Sequence, residues 1–422
     1  MGVDVQASTL GTITALIIAI FLIVKRVSPP IAMMAGALSG GLVGGLAFGE
    51  TVAVMIDGAK GMSGIVLRVL TAGVLAGVLI ESGAAKTIAE SILHKMGEKK
   101  ALLAITIATA ILTGVGVFIG VAVITVAPIA LAIAKRANLS KFAVLLAISG
   151  GGKAGNIISP NPNTIAASEA FSVPLTSVMA AGLIPALIGV LCTYFIASKL
   201  KQTGSAVADA DLDITEEGNL PKLMSSLSGP IVAIILLLLQ PAFGISIDPL
   251  IALPLGGIAG AFFMKKQREL NVYITSGLEK MSGIAVLLLG TGTLAGLIKH
   301  STLSSVISHS IESLGLPAAL LAPIAGITMS AATASTAAAT AVAGSAFAPT
   351  IMDIGVSAFA GAAMVHAGAI VLDHMPHGTY FHITRQSVNM NMSERFKLIP
   401  YEALIGFVIA VVSTILFGMI LS

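Results

Sequence analysis

The chain has no tryptophan, a single cysteine in 422 residues and only 10% charged side chains. Each scarcity excludes something. One thiol cannot close an internal disulfide, and Cys192 sits in an apolar run, so it reads as a small buried hydrophobe and not a redox group. With 56% hydrophobic residues and a mean hydropathy of +1.00, the chain carries more apolar surface than a soluble domain of this size can hide. A polytopic membrane protein is the class that remains, with the lipid bilayer as its surroundings. Net charge is only +3, and no nucleic-acid partner is expected. No HExxH motif and no convincing His/Cys/Asp spacing are present, so neither a metal nor a cofactor is expected.

What the chain has in quantity is glycine, 45 residues of it. This suits helices packed closely in lipid, where no hydrophobic drive acts between them. Apolar spans run near residues 10–24, 29–48, 62–82, 101–134, 142–168, 176–197, 228–243, 249–264, 281–298, 318–352, 357–381 and 400–421. The first ends in Lys25-Arg26 without a small-residue cleavage site, which reads as a retained helix and not a signal peptide. The spans 101–134 and 318–352 are too long for one crossing at about 1.5 Å per residue. Small polar residues interrupt both, around Thr113–Gly116 and Ser330–Thr336. Each is expected to be a re-entrant hairpin that enters and leaves on one side.

Charge tests that expectation. With ten ordinary crossings, two hairpins and both termini extracytoplasmic, 19 of the 23 Lys+Arg fall on the cytoplasmic side. If either long span crossed once, every later basic cluster would change sides. The polar stretch 200–225, with Asp209, Asp211, Asp213, Glu216 and Glu217, is then a cytoplasmic acidic linker, expected to be solvated and flexible. It divides an N-terminal membrane repeat, 1–199, from a C-terminal one, 226–422. Short matches recur in order at a nearly constant offset, among them Lys60–Ile65 with Glu279–Ile284, Ala101–Ala104 with Ala319–Ala322, and Pro162-Asn163 with Pro376-His377. The expected fold is therefore all-α, with two inverted-topology repeats, each holding a hairpin and a broken transmembrane helix. Secondary transporters are built this way.

The most irregular segment is Gly150-Gly151-Gly152-Lys153-Ala154-Gly155-Asn156-Ile157-Ile158-Ser159-Pro160-Asn161-Pro162-Asn163. Backbone broken at membrane depth must be satisfied by protein, water or ligand, so the break is expected to begin at these glycines and to form a site. Ser159 or Asn163 is expected to cap the helix resuming at Thr164, whose N-terminus would attract an anion. Lys153 is too deep to snorkel and is expected to anchor that anion, beside Asn156, Ser159, Asn161 and Asn163. Ala154 stands where a nucleotide-binding loop needs a hydroxyl, which sets ATP-driven transport aside. In the second half, Asp373 and His377 align with the break and are expected to couple an ion, proton foremost, while His382 reads as a cytoplasmic helix end. Hydroxyls at the hairpin tips, Thr113, Ser335 and Thr336, are candidate substrate contacts; in the bland alternative they join helices.

The run Ser149 to Thr164, with Leu372-Asp373-His374-Met375-Pro376-His377-Gly378, resembles the gluconate permease family of proton symporters, within the wider ion-transporter superfamily. The resemblance extends over essentially the whole chain. It implies a bacterial inner-membrane carrier of small hydroxy- or ketocarboxylates. It further implies a homodimer in which a scaffold holds a moving transport unit, as in an elevator. The family's gluconate carriers have a histidine-rich first break, which points this chain toward another member of that substrate class. Sodium coupling is the rival within transport. An intramembrane enzyme is the rival outside it, disfavoured because only Asp373 is a plausible intramembrane aspartate.

Overall fold

The computed structural model describes residues 5–25, 27–212, 220–303, 306, 309, 313 and 317–421. Arg26, Asp213, Glu216, Glu217 and most of 300–315 lie outside the described residues. All the regular elements described are helical. The first half contains α1 (Thr9–Val24), α2 (Pro29–Val43), α3 (Phe48–Gly61), α4 (Ser63–Glu81), α5 (Ala84–Met96), α6 (Ala101–Gly114), α7 (Ile119–Arg136), α8 (Lys141–Asn156), α9 (Pro162–Ala170), α10 (Leu175–Ala181) and α11 (Leu183–Lys199). The second contains α12 (Leu223–Phe243), α13 (Pro249–Phe263), α14 (Leu270–Lys299), α15 (Leu321–Thr333), α16 (Thr336–Asp353), α17 (Ala358–Ala369), α18 (Thr379–Ser387) and α19 (Met392–Ile415). Six helical stretches are long and apolar enough to cross a membrane, from Ser63–Glu81 to Met392–Ile420. The protein is a multi-pass membrane protein.

Both long apolar spans turn back on themselves. Between α6 and α7 the chain reverses at Val115–Phe118, where Gly116 takes φ +107° and the Val117 N–H donates to Leu112 O at 3.1 Å, closing the helix end. Arg136 and Glu98 pair at 2.8 Å, so the two ends of this span lie at the same end of the molecule. Between α15 and α16 the turn is tighter. Ala334 is left-handed, φ +48°, and Ser335 caps α16 by accepting the Ala338 N–H at 3.4 Å. An alanine in that region costs about 1–2 kcal/mol.

Two sets of polar contacts mark opposite ends of the helices. At one end Lys266 donates to Ser82 O, Thr87 to Pro221 O and Lys141 to Asp211. At the other, Asp57 meets His300 at 3.3 Å and Arg68 meets both Asp248 and Glu169. The segment 201–212 faces solvent over most of its length, as expected of a linker, but it is docked at particular points. It is strapped across the starts of α8 and α19: Ser140 N–H donates to Lys201 O, Lys141 Nζ reaches Asp211 at 2.8 Å, and Ser205 Oγ donates to Glu394 at 2.8 Å. Burial opposes the charge on Asp211. The Lys141 and Ala208 donors outweigh it, and the carboxyl is held below its ordinary value.

Candidate functional site

The glycine run does not break the helix. Gly150 to Gly155 are helical within α8, and the interruption is 157–161, later than expected. The glycines serve packing instead. A Cβ on Gly151 would meet Thr106 O at 2.2 Å, and α6 could not approach. The second half repeats this contact, since a Cβ on Gly368 of α17 would meet Pro323 O of α15 at 2.4 Å. The prolines end α8: neither can donate a backbone N–H, and Pro162 opens α9 at a position where none is needed.

Asn161, and not Ser159 or Asn163, caps α9. Its Oδ1 accepts from Asn163 N at 2.9 Å and Thr164 N at 3.1 Å, which occupies N–H groups expected to face an anion. Its Nδ2 donates to Asn156 O at 2.8 Å, and Asn163 Nδ2 donates to Asn156 Oδ1 at 3.0 Å. Asn156 Nδ2, Asn163 Oδ1 and Ser159 Oγ are left buried without a protein partner.

Lys153 is fully buried in the last turn of α8. Its ammonium donates to Ile370 O and Asp373 Oδ1 and lies 3.3 Å from His374 Nδ1. It therefore spans from the first broken helix to the second, where α17 leaves carbonyls free. It stands behind Asp373, away from the cavity, and not on the wall as an open anchor for an anion. A buried ammonium takes the strongest acceptors in reach, and those belong to the protein. The second oxygen of Asp373 accepts from Thr336 Oγ1 at 2.7 Å, which ties the carboxylate to the tip of the second hairpin.

All four interruptions converge on one cavity of about 630 Å³. Phe118 to Gly120 come from the first hairpin, Asn156 and Asn163 from the first break, Thr333 to Ala337 from the second hairpin, and Asp373 with His377 from the second break. The α1–α2 turn and Lys280 of α14 complete the rim. Of the expected residues, Asn156, Asn163, Ser335, Thr336, Asp373 and His377 line this space. Lys153, Ser159 and Asn161 support it from behind. Thr113 does neither: its hydroxyl bonds back to Thr109 O at 2.9 Å within α6, because the turn falls after it. His377 lies 3.1 Å from Ala332 O, and His382, expected at a helix end, lines the cavity 3.0 Å from Pro376 O.

Sequence reasoning missed a second buried network. Tyr380 on the cavity wall donates to Ser149 Oγ at 3.1 Å, which donates to Glu402 at 2.6 Å, and Glu402 pairs with Arg395 at 2.6 Å. A lone glutamate in the apolar run 400–421 was the available signal. Arg395, a charge that the sequence pattern alone would assign to the cytoplasmic surface, is fully buried. Among the described residues no group of three His, Cys, Asp or Glu could hold a metal ion.

An all-helical membrane fold with broken helices meeting at one cavity with polar groups on its wall is the architecture of a permease. The model of the GntP permease family matches residues 8–249, more than half of the chain, and the chain belongs to that family. It is a transporter and not an enzyme. A second model, of the Na+-H+ antiporter family, matches residues 225–314. An uncharacterized transporter of Haemophilus influenzae is 58% identical over 97% of this chain and 98% of its own. A gluconate permease of Pseudomonas aeruginosa is 24% identical over 94% of each chain. The structure of the Alcanivorax borkumensis YdaH transporter superposes with a TM-score of 0.63 at 16% identity, covering 95% of this chain and 98% of that one.

Proposed function

We propose that the protein is a secondary symporter of a small organic carboxylate, a sugar acid or hydroxy acid, driven by protons across the bacterial inner membrane. The observation that carries this reading is the meeting of four helix interruptions at one cavity. Such breaks are costly in lipid and persist where they line a binding site. Asn156, Asn163, Ser335 and Thr336 offer amide and hydroxyl groups suited to a hydroxylated carboxylate. Asp373 and His377 are titratable groups at that wall and the candidates for ion coupling, and Lys153 holds Asp373 in place. The name of the Pseudomonas aeruginosa relative supports an organic acid as cargo.

Alternating access follows from two inverted repeats, 1–199 and 226–422, joined by a cytoplasmic segment, with both termini outside and a homodimer as the working form. The recurrence of hairpin, broken helix and long helix in both halves supports that arrangement. Proteoliposome uptake of gluconate, glycerate and lactate tests it. A pH gradient without sodium is expected to drive saturable uptake, and Asp373→Asn to abolish it. Sodium is the second reading, favoured by the match of 225–314 to the Na+-H+ antiporter family. Uptake that requires sodium and ignores the pH gradient would establish it.

A further inference from the structure

Capping α9 gives Asn161 a second consequence. Its Oδ1 accepts from the Asn163 and Thr164 N–H groups, which can only donate, so its amide cannot be turned round. Its Nδ2 is therefore the group that donates to Asn156 Oδ1, at 2.6 Å. Asn163 Nδ2 donates to the same oxygen at 3.0 Å, which fixes the other two amides in turn. One donor and one acceptor are left over. Asn156 Nδ2 and Asn163 Oδ1 are each buried, and neither has a partner among the described residues. Both residues line the cavity.

A group that satisfies this pair must both donate and accept. A hydroxyl does so, giving its hydrogen to Asn163 Oδ1 and taking one from Asn156 Nδ2. A ketone only accepts, and strands the oxygen. An ammonium only donates, and strands the nitrogen. A methylene satisfies neither. Leaving a buried polar atom unpaired costs more than the bond it would have made contributes, so such a pair discriminates chiefly by rejection.

The neighbouring wall indicates which hydroxyl is read. α9 and α16 both begin at the cavity and run side by side from it. A Cβ on Gly344 would meet Ala170 Cβ at 2.7 Å, and these two residues lie eight positions past the helix starts at Thr336 and Pro162. In α16 Ser335 Oγ takes the Ala338 N–H, and the first backbone bond is Ala339 N to Ser335 O at 2.9 Å. The Thr336 and Ala337 N–H groups precede that bond, at residues that line the wall. Adjacent helix starts also bring their partial positive charge to one place. A carboxylate is best held there, and its neighbouring carbon then faces the Asn156–Asn163 pair.

We propose that Asn156 and Asn163 select the cargo by its 2-hydroxyl group, with Asn161 as the positioning residue that sets the polarity of their amides. The substrate class is then a 2-hydroxycarboxylate, as against a 2-oxo, 2-amino or 2-deoxy acid. This rests on the carboxylate reading of the cavity and narrows it.

Calorimetry of the purified protein at one pH tests it with ligands that differ at that carbon. Lactate is compared with propionate and pyruvate, glycerate with 3-hydroxypropionate, and gluconate with 2-deoxygluconate. Ligand charge and any coupled ion are common to each set and cancel in the ratio. In every set that binds, the 2-hydroxy acid is expected to bind about 10- to 100-fold tighter than its counterparts. Asn163→Ala is expected to bring that ratio to about one. A variant that weakens all members of a set equally, with the ratio kept, overturns the assignment, because that is the signature of a structural role alone. If Asn163→Ala does not fold, the wild type decides. Propionate or pyruvate binding as tightly as lactate, or a 2-deoxy acid as tightly as its parent, overturns this inference and leaves the symporter reading standing. Absence of binding by every member of the three sets removes both.

Discussion

Lys153 and Asp373 come from opposite halves of the chain and meet with almost no solvent. Such a pair is a poor source of net stability, because both ions were taken out of water, but losing one partner strands the other. Lys153→Met and Asp373→Asn are each expected to destabilise the purified protein by about 3–5 kcal/mol. The double variant is expected to recover most of that loss. Thermal unfolding in detergent reads both, and single variants as stable as wild type would show that the pair does not bear on folding. Uptake separates the roles further. The double variant is expected to fold and still fail to transport, since Asp373 is gone from the wall. Lys153 was conspicuous in the sequence because charge at membrane depth is rare. Its partner was not legible, because nothing local links residue 153 to residues 370–374. The same holds for Ser149 and Glu402, 253 positions apart.

Elements were more legible than contacts. Excess length betrayed both hairpins, and proline with asparagine betrayed the first break, since these depend on short-range chemistry. The glycine run was misplaced by the same logic: glycine lowers helix propensity locally, and tertiary approach of α6 and α11 overrode it. The acidic stretch after α11 was likewise read from composition alone. Its docking depends on Lys141 and Glu394, which only the fold brings near. Here pH provides a test. A carboxyl whose folded pKa lies below its unfolded value near 3.8 contributes stability above 3.8 and loses it as pH falls through the lower, folded value. Asp211→Asn is therefore expected to lower the melting temperature at neutral pH, while the gap to wild type closes on acidification below that value. A gap that stays constant from pH 7 down to acid unfolding would mean that the Lys141–Asp211 contact contributes nothing through charge.

Across the whole molecule the helices sort into two groups. In one, α4 and α14 touch backbone to backbone, where a Cβ on Gly277 would meet Gly73 O at 2.0 Å, and α1–α3, α12 and α13 join them. The other contains both hairpins, both broken helices, α11 and α19, bound together through the Lys153 and Glu402 networks. The cavity has walls from each group, since Lys280 and the α1–α2 turn face the four interruptions. If the second group slides along the first, contacts between them must break in each cycle. Arg68 makes such a contact: it pairs with Asp248 at 2.6 Å inside the first group and with Glu169 at 3.1 Å at the end of α9. A short bismaleimide between Arg68→Cys and Glu169→Cys, in a Cys192→Ala background, should fix the groups as they stand. Uptake is expected to fall to background, while the carboxylate still raises the melting temperature of the cross-linked protein. Locked protein that transports at the uncross-linked rate would exclude sliding at this interface. Cross-linking that removes binding as well would place the obstruction in the cavity, with bismaleimides of longer spacer serving as the control for bulk. The expected separation of binding from transport follows from the geometry, because every polar group proposed to hold the anion belongs to the second group and travels with it.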